Sequence, residues 1–222
     1  MRADVAIVGG TGALGLGVGL RLAAAGSSVV LGSRDAERAV RAADDICERV
    51  RDGAVRGAAN ADAAATAPVV ILAVPFQSQA GTLRGIADAL VPGQIVVDAT
   101  VPLATAVGGR PTQTVGVWAG SAAQQAQALV PDGVRVVSAL HTVSAASLWD
   151  LDHALDEDVL VCGDRRADKD VVIQLLDRIR GLRLVDAGRL EASRIVEQLT
   201  ALLISINARH KVHAGIRITG LA

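Results

Sequence analysis

The stretch VAIVGGTGALGLGVGLRLAAAG, residues 5–26, constrains the fold more than any other segment of the chain. A short apolar run ends in glycine at Val5–Gly10, and Leu14, Val18, Leu22 and Ala25 then recur at helical spacing until Gly26 stops the helix. Between them, Gly10, Thr11, Gly12, Ala13, Leu14 and Gly15 spell G-x-G-x-x-G in the strand–turn–helix context that gives this pattern its meaning. Gly10 is expected to permit the tight turn and Gly12 to let the backbone approach a pyrophosphate. Gly15 should let helix and strand pack closely, with free N–H groups at the helix start facing the phosphates.

The rest of the chain repeats this alternation. Strands are expected at Ser28–Ser33, 54–60 (weak), 67–75, 94–102 and 133–142, with an amphipathic helix at 37–50 and a short Ala-rich helix within 58–67. Hydrophobic residues make up 51% of the chain and aromatics only 1%, so Ala, Val, Leu and Ile must form the core. Buried parallel strands under Ala-rich helices suit that composition. The fold class is therefore α/β, a Rossmann doubly wound parallel sheet with a smaller C-terminal α/β part. The division expected is 1–140 for nucleotide binding and 141–222 for a smaller unit closing over it. The smaller unit is expected to hold a pair of shorter strands (156–164, 181–188) and a pair of helices (167–180, 188–210).

An NAD site places a carboxylate about 20 residues beyond the glycines, on the ribose 2′-hydroxyl. Here that place holds Gly32, Ser33 and Arg34. A carboxylate would repel the 2′-phosphate of NADP, whereas a guanidinium can pair with it bidentately. Ser33 can donate its hydroxyl to the same phosphate and cap the next helix. Arg38 lies four residues on, along the same helical face as Arg34. The missing acid thus selects NADP(H) over NAD(H).

Several other classes are excluded or weakened. A net charge of −1 argues against nucleic-acid binding. His141, His153, His210 and His213 form no H-x-x-x-H or H-E-x-x-H arrangement, so no metal is expected. Cys47 and Cys162 are far apart and read as reduced core residues of a cytoplasmic protein. No signal-peptide core fits before the glycines, and the most apolar helical stretch, 195–206, carries Glu197 and Gln198 and is too short to span a bilayer. Its aliphatic residues fall on more than one face, which favours a homodimer.

With these residues in view, the chain resembles the NADPH-dependent coenzyme F420 reductases, also called F420-dependent NADP oxidoreductases. The likeness rests on residues 5–34, on VVSALHTVSAA (136–146), on DVLVCGD (158–164) and on GLRLVDAGRLEASRIVEQLTALLISIN (181–207). The stretch at 105–120 departs from the family pattern.

The resemblance implies hydride transfer between NADP(H) and the deazaflavin coenzyme F420 as co-substrate. Val74, Pro75 and Phe76, ending the fourth strand, would border the nicotinamide ribose. His141, ending the sixth, is the candidate catalytic residue, hydrogen-bonding a ring carbonyl or stabilising charge on the reduced ring. Thr142 could assist, and Thr200 on the last long helix could satisfy its hydroxyl on a helix carbonyl or on the deazaflavin edge. The basic cluster at 208–217 reads as a solvated helix end, with attraction of the coenzyme's anionic tail as the other reading. Two competitors share the nucleotide half. Other NADP-dependent dehydrogenases carry a large helical second domain, for which about 80 residues after His141 are too few. A non-catalytic NADP sensor would bind cofactor without chemistry.

Overall fold

The computed structural model describes residues 3–221. Eight strands form one sheet: β1 (Val5–Val8), β2 (Val29–Ser33), β3 (Val55–Ala59), β4 (Val69–Leu72), β5 (Ile95–Asp98), β6 (Arg135–Ser138), β7 (Glu157–Gly163) and β8 (Leu182–Gly188). Their spatial order is β3-β2-β1-β4-β5-β6-β7-β8. The first six are parallel; β7 runs antiparallel to β6, and β8 parallel to β7. The helices are α1 (Ala13–Ala24), α2 (Ala36–Arg49), α3 (Asn60–Ala64), α4 (Phe76–Ile86), α5 (Ala122–Leu129), α6 (Ala145–Trp149), α7 (Arg166–Leu176) and α8 (Ser193–His210).

Alternation along the strands divides the core. Val5 and Ile7 of β1 face one layer, with α1, α2, α6 and α7. Ala6 and Val8 face the other, with α3, α4 and α5. Both faces are covered, which is why the parallel strands read as unbroken apolar runs. The order of connection reverses beside β1: the chain moves outward to β2 and β3, then returns across β1 to β4. Ligands of open α/β sheets bind at such a switch point, beyond the carboxyl ends of the strands.

The sequence leads to a pair of short strands after residue 150, but β7 and β8 are the longest in the sheet, seven residues each. They continue the sheet edge beyond β6. Asp158 of β7, buried, accepts a paired hydrogen bond from Arg183 of β8 (Nε and Nη2, both 2.8 Å). That guanidinium holds the Asp158 carboxyl down at about 2. The Asp158 backbone N–H donates to the Ile216 carbonyl at 2.7 Å, so the C-terminal segment is fastened to the same strand.

Candidate functional site

The loop from Gly9 to Gly12 joins β1 to α1 at the switch point. The left-handed residue is Gly9 (φ +77°), one position before the glycine to which the sequence pattern assigns the turn. A Cβ on Gly9 would lie 2.5 Å from Val74 Cγ1 and 2.7 Å from the Ala73 carbonyl oxygen. Gly10 is needed for another reason: its Cβ would strike the Ile7 carbonyl oxygen at 2.8 Å. Gly15 packs against the loop itself, where a Cβ would come 2.8 Å from Gly10 Cα. Gly12 is the N-cap of α1 and supplies no side-chain cap, so the first-turn N–H groups of Ala13 and its neighbours stay open to a ligand. Leu14 is partly buried and packs against the core.

A cleft of about 460 Å³ opens against this loop, lined by Thr11, Gly12, Ser33, Arg34, Arg38 and Asn60 among others. Val74 and Pro75 also line it, while Phe76, the first residue of α4, is not among the lining residues. Arg34 and Arg38 are exposed and, among the described residues, neither forms an ion pair. Ser33 does not cap α2. Asp35 does, accepting from the Arg38 backbone N–H at 3.1 Å, because it sits three residues before that donor. Ser33 Oγ instead accepts from the Asp35 N–H at 3.2 Å, leaving the hydroxyl proton for another acceptor.

Asn60 is a participant that sequence reasoning missed. From the start of α3 its Oδ1 accepts from the Gly9 N–H at 3.3 Å, bracing the turn. An amide directly after a strand was the only local signal. The open helix start, the unpaired guanidinium groups and the free hydroxyl fit a pyrophosphate joined to a 2′-phosphorylated ribose.

Beyond β5 and β6 lies a second polar assembly. Gln79 of α4 is fully buried and its Nε2 donates to Asp98 Oδ2 and Thr100 Oγ1 (both 2.8 Å) and to the Ala122 carbonyl (2.9 Å). Gln125 donates to Gln79 Oε1 at 2.7 Å. Glu197 of α8 caps α5 from outside, accepting from the Ala122 and Ala123 N–H groups at 3.0 and 3.2 Å. Burial pushes the carboxyl groups of Asp98 and Glu197 up to about 7. Asp98 thus fixes the end of β5 through the Thr100 N–H and, through Gln79, ties it to the start of α5.

His141 follows β6 and is buried, and neither ring nitrogen has a hydrogen-bond partner. Burial lowers its pKa to about 4, so the ring is neutral at pH 7, with one N–H donor and one lone pair unused. The residue before it, Leu140, is held in the left-handed region (φ +71°). Such a conformation costs a leucine about 1–3 kcal/mol and persists where surrounding structure enforces it. Thr142 is buried beside it. Thr200 Oγ1 donates to the His141 carbonyl at 2.8 Å. The carbonyl it meets is not that of a helix but of the segment after β6, where α8 passes over the strand end and the carbonyl needs a donor.

Fold and cleft together define the class: a Rossmann-type nucleotide-binding protein furnished for a 2′-phosphorylated dinucleotide. Residues 4–102 match the family described as NADP oxidoreductase, coenzyme F420-dependent. The chain is 43% identical over 221 residues to the F420-dependent NADP reductase of Methanothermobacter marburgensis, covering 98% of each. Among solved structures it is similar to one from Arthrobacter sp. FB24 assigned to the F420-dependent NADP-reductases. That likeness has a TM-score of 0.82 and 28% identity, over 98% of this chain and 99% of that one. The fold extends to Mycobacterium tuberculosis 3-hydroxyisobutyrate dehydrogenase at TM-score 0.66 and 16% identity, over 95% of this chain and 62% of the other. This chain belongs to the F420-dependent NADP reductase family.

Proposed function

We propose that this protein is an oxidoreductase that transfers a hydride between NADP(H) and the deazaflavin coenzyme F420. The observation that carries the reading is the cleft at the switch point, where an uncapped helix start faces Ser33, Arg34 and Arg38, in a chain of this family.

In this reading the segment Gly10-Thr11-Gly12-Ala13-Leu14-Gly15 holds the pyrophosphate, with Gly9 and Asn60 fixing the turn. Ser33, Arg34 and Arg38 hold the 2′-phosphate. Val74, Pro75 and Phe76 border the nicotinamide ribose. The nicotinamide and the deazaflavin supply the redox chemistry, and the chain's task is to align them, with reacting carbons about 3–3.5 Å apart. His141, neutral and with an unused N–H, would donate a hydrogen bond to a deazaflavin carbonyl and so favour charge that builds on the ring. It need not give up a proton to do so. Thr142 lies beside it, and Thr200 orients it through its own backbone carbonyl. No group of three or more His, Cys, Asp or Glu residues arranged to hold a metal ion occurs among the described residues, and none is needed for this chemistry.

Residues 1–140 act here as the NADP-binding unit, and 141–222 complete the deazaflavin site. No described helix is long and apolar enough to cross a membrane, and a cytoplasmic setting suits the free thiols Cys47 and Cys162. Ile195 and Leu202 of α8 are exposed, as are Val107 and Trp118 in the stretch 105–120; this favours a homodimer. Light scattering should return twice the chain mass, and a monomer at micromolar concentration would remove that element of the reading. The function itself is tested by mixing the protein with NADPH and oxidised F420, with NADH and FMN as controls. Bleaching of the deazaflavin's visible band by NADPH but little by NADH is expected. Tight NADPH binding without bleaching would leave a nucleotide-binding protein with another acceptor, or none.

A further inference from the structure

Arg21 stands in the last turn of α1 between two fully buried leucines and is itself buried. A charge there must be met by polar partners. It is met by the C-terminal end of α6 and the turn that follows it. Nε donates to the Leu148 carbonyl at 2.9 Å, and Nη2 to those of Ser147 (2.8 Å), His153 (2.9 Å) and Asp150. Those of Ser147 and Leu148 lie in the last turn of α6, where a helix leaves its carbonyls without partners. Desolvation lowers the Arg21 pKa from its ordinary value, the nearby charge of Asp150 opposes that shift, and the group remains a cation.

One turn earlier, Gly17 lets the two helices touch. A Cβ there would lie 2.6 Å from Leu148 Cβ and 3.3 Å from the Ala145 carbonyl oxygen. Helix α6 has five residues, too few to hold its own shape in water. Its position is therefore set by what grips it: Arg21 and the Gly17 surface, with the Arg49 guanidinium 4.4 Å from the centroid of the Trp149 ring.

The chain entering α6 is the corner that carries His141. Its imidazole has no hydrogen bond of its own to fix it. Its place depends on the backbone, which is strained at Leu140 and fastened at three points: β6 before it, Thr200 on its carbonyl, and α6 after it. The same helix α1 carries the glycine loop at its other end, about 14 Å from Arg21 at 1.5 Å per residue.

We propose that Arg21 and Gly17 are positioning residues. They form a joint between α1 and α6 that fixes the His141 corner relative to the nucleotide-binding loop. The kinetic consequence rests on the hydride-transfer reading above. The hold on His141 does not, and it can be measured in the protein alone.

The test uses Arg21→Gln, Arg21→Lys and Gly17→Ala in the full chain. The first readout is the imidazole titration of His141 by NMR without cofactor, its signal assigned by its disappearance in His141→Asn. The parent ring should titrate near 4. In Arg21→Gln and Gly17→Ala the corner should loosen and the titration should climb toward the ordinary histidine value. Arg21→Lys, with one compact donor group, should fall between.

The second readout is turnover with NADPH and F420. In Arg21→Gln and Gly17→Ala kcat should drop about tenfold or more, while NADPH affinity, followed by its fluorescence, stays within about twofold. If Arg21→Gln does not fold, Gly17→Ala decides, because it keeps every Arg21 hydrogen-bonding group. An unmoved His141 titration in a folded variant overturns the proposal. So does a loss of NADPH affinity in step with kcat, which would mean that the glycine loop was disturbed instead. A parent protein that binds NADPH yet never reduces F420 refutes the hydride-transfer reading, and the titration still decides the joint.

Discussion

Replacing Arg34 by alanine should separate the two nicotinamide cofactors. Arg34 lines the cleft beside Ser33 and Arg38, is exposed, and has no ion-pair partner among the described residues to lose. Its removal therefore leaves no buried carboxylate stranded, and the folded protein should be unchanged. A guanidinium–phosphate hydrogen bond contributes about 1.5–3 kcal/mol, and solvent exposure places this one toward the lower end. At about 1.4 kcal/mol per decade, NADPH should bind about 10- to 30-fold more weakly to Arg34→Ala. NADH lacks the 2′-phosphate and should bind the variant as it binds the parent. Fluorescence titration of each reduced cofactor measures both constants. Salt supplies an internal check: screening acts over about 10 Å at about 0.1 M, so the parent's preference for NADPH should narrow as ionic strength rises, and that of Arg34→Ala should change less. Equal weakening of NADPH and NADH, or none of either, would refute the assignment of Arg34 to the 2′-phosphate.

Three further outcomes follow from the buried polar groups. His141→Leu conserves volume and removes two unpaired ring nitrogens. It should stabilise the fold by about 1 kcal/mol in denaturant melts while lowering kcat about tenfold or more, with NADPH affinity retained. Glu197→Gln turns an amide N–H toward one of the two backbone N–H groups at the start of α5 and should cost about 1–3 kcal/mol by the same melts; an unchanged melt would mean that water already replaces this cap. Stability should fall as pH rises through neutrality. Asp98, Glu157 and Glu197 are held at about 7 by burial, above their unfolded values. Their contribution is complete below about pH 4 and is lost as pH climbs through about 7. His141, lowered to about 4, works in the opposite sense, contributing above about 6.5 and less as pH falls. With three carboxyls against one imidazole, the denaturant midpoint should decline from about pH 5 to about pH 8, and a rising midpoint would contradict these assignments.

The elements of the site that lie in one short stretch are legible in the sequence. The glycine loop follows from the spacing of Gly10, Gly12 and Gly15 between a strand and a helix, and Arg34 follows from counting to the end of the second strand. Even there, local chemistry moves by a residue or two. The left-handed turn falls on Gly9, which lies hard against Ala73 and Val74, residues remote in sequence that follow the neighbouring strand β4. The α2 cap falls on Asp35 because capping depends on where the helix starts, which the sequence defines only loosely. Asn60 and Gln79 act through contacts across the sheet, and nothing near them in sequence names their partners. Arg21 is an intermediate case. A cation inside GLRLAAAG demands buried acceptors, but its attachment to α6, well over a hundred residues away, belongs to the tertiary fold. The length of β7 and β8 relative to the other strands escapes the sequence because β8, at the sheet edge, is partly exposed, and β7 opens on the charged pair Glu157 and Asp158, so neither shows the continuous apolar run of the central strands.

The central claim is direct hydride transfer between the two cofactors, and isotope transfer tests it most directly. NADPH carrying deuterium at the nicotinamide C4 is mixed with the protein and oxidised F420, and the reduced product is examined by mass spectrometry. The account predicts one deuterium in reduced F420 from one face of the nicotinamide and none when the label is on the other face. Reduced F420 formed without label from either face would show that the hydride does not pass directly, and no reduced F420 at all would show that the chain acts on another partner.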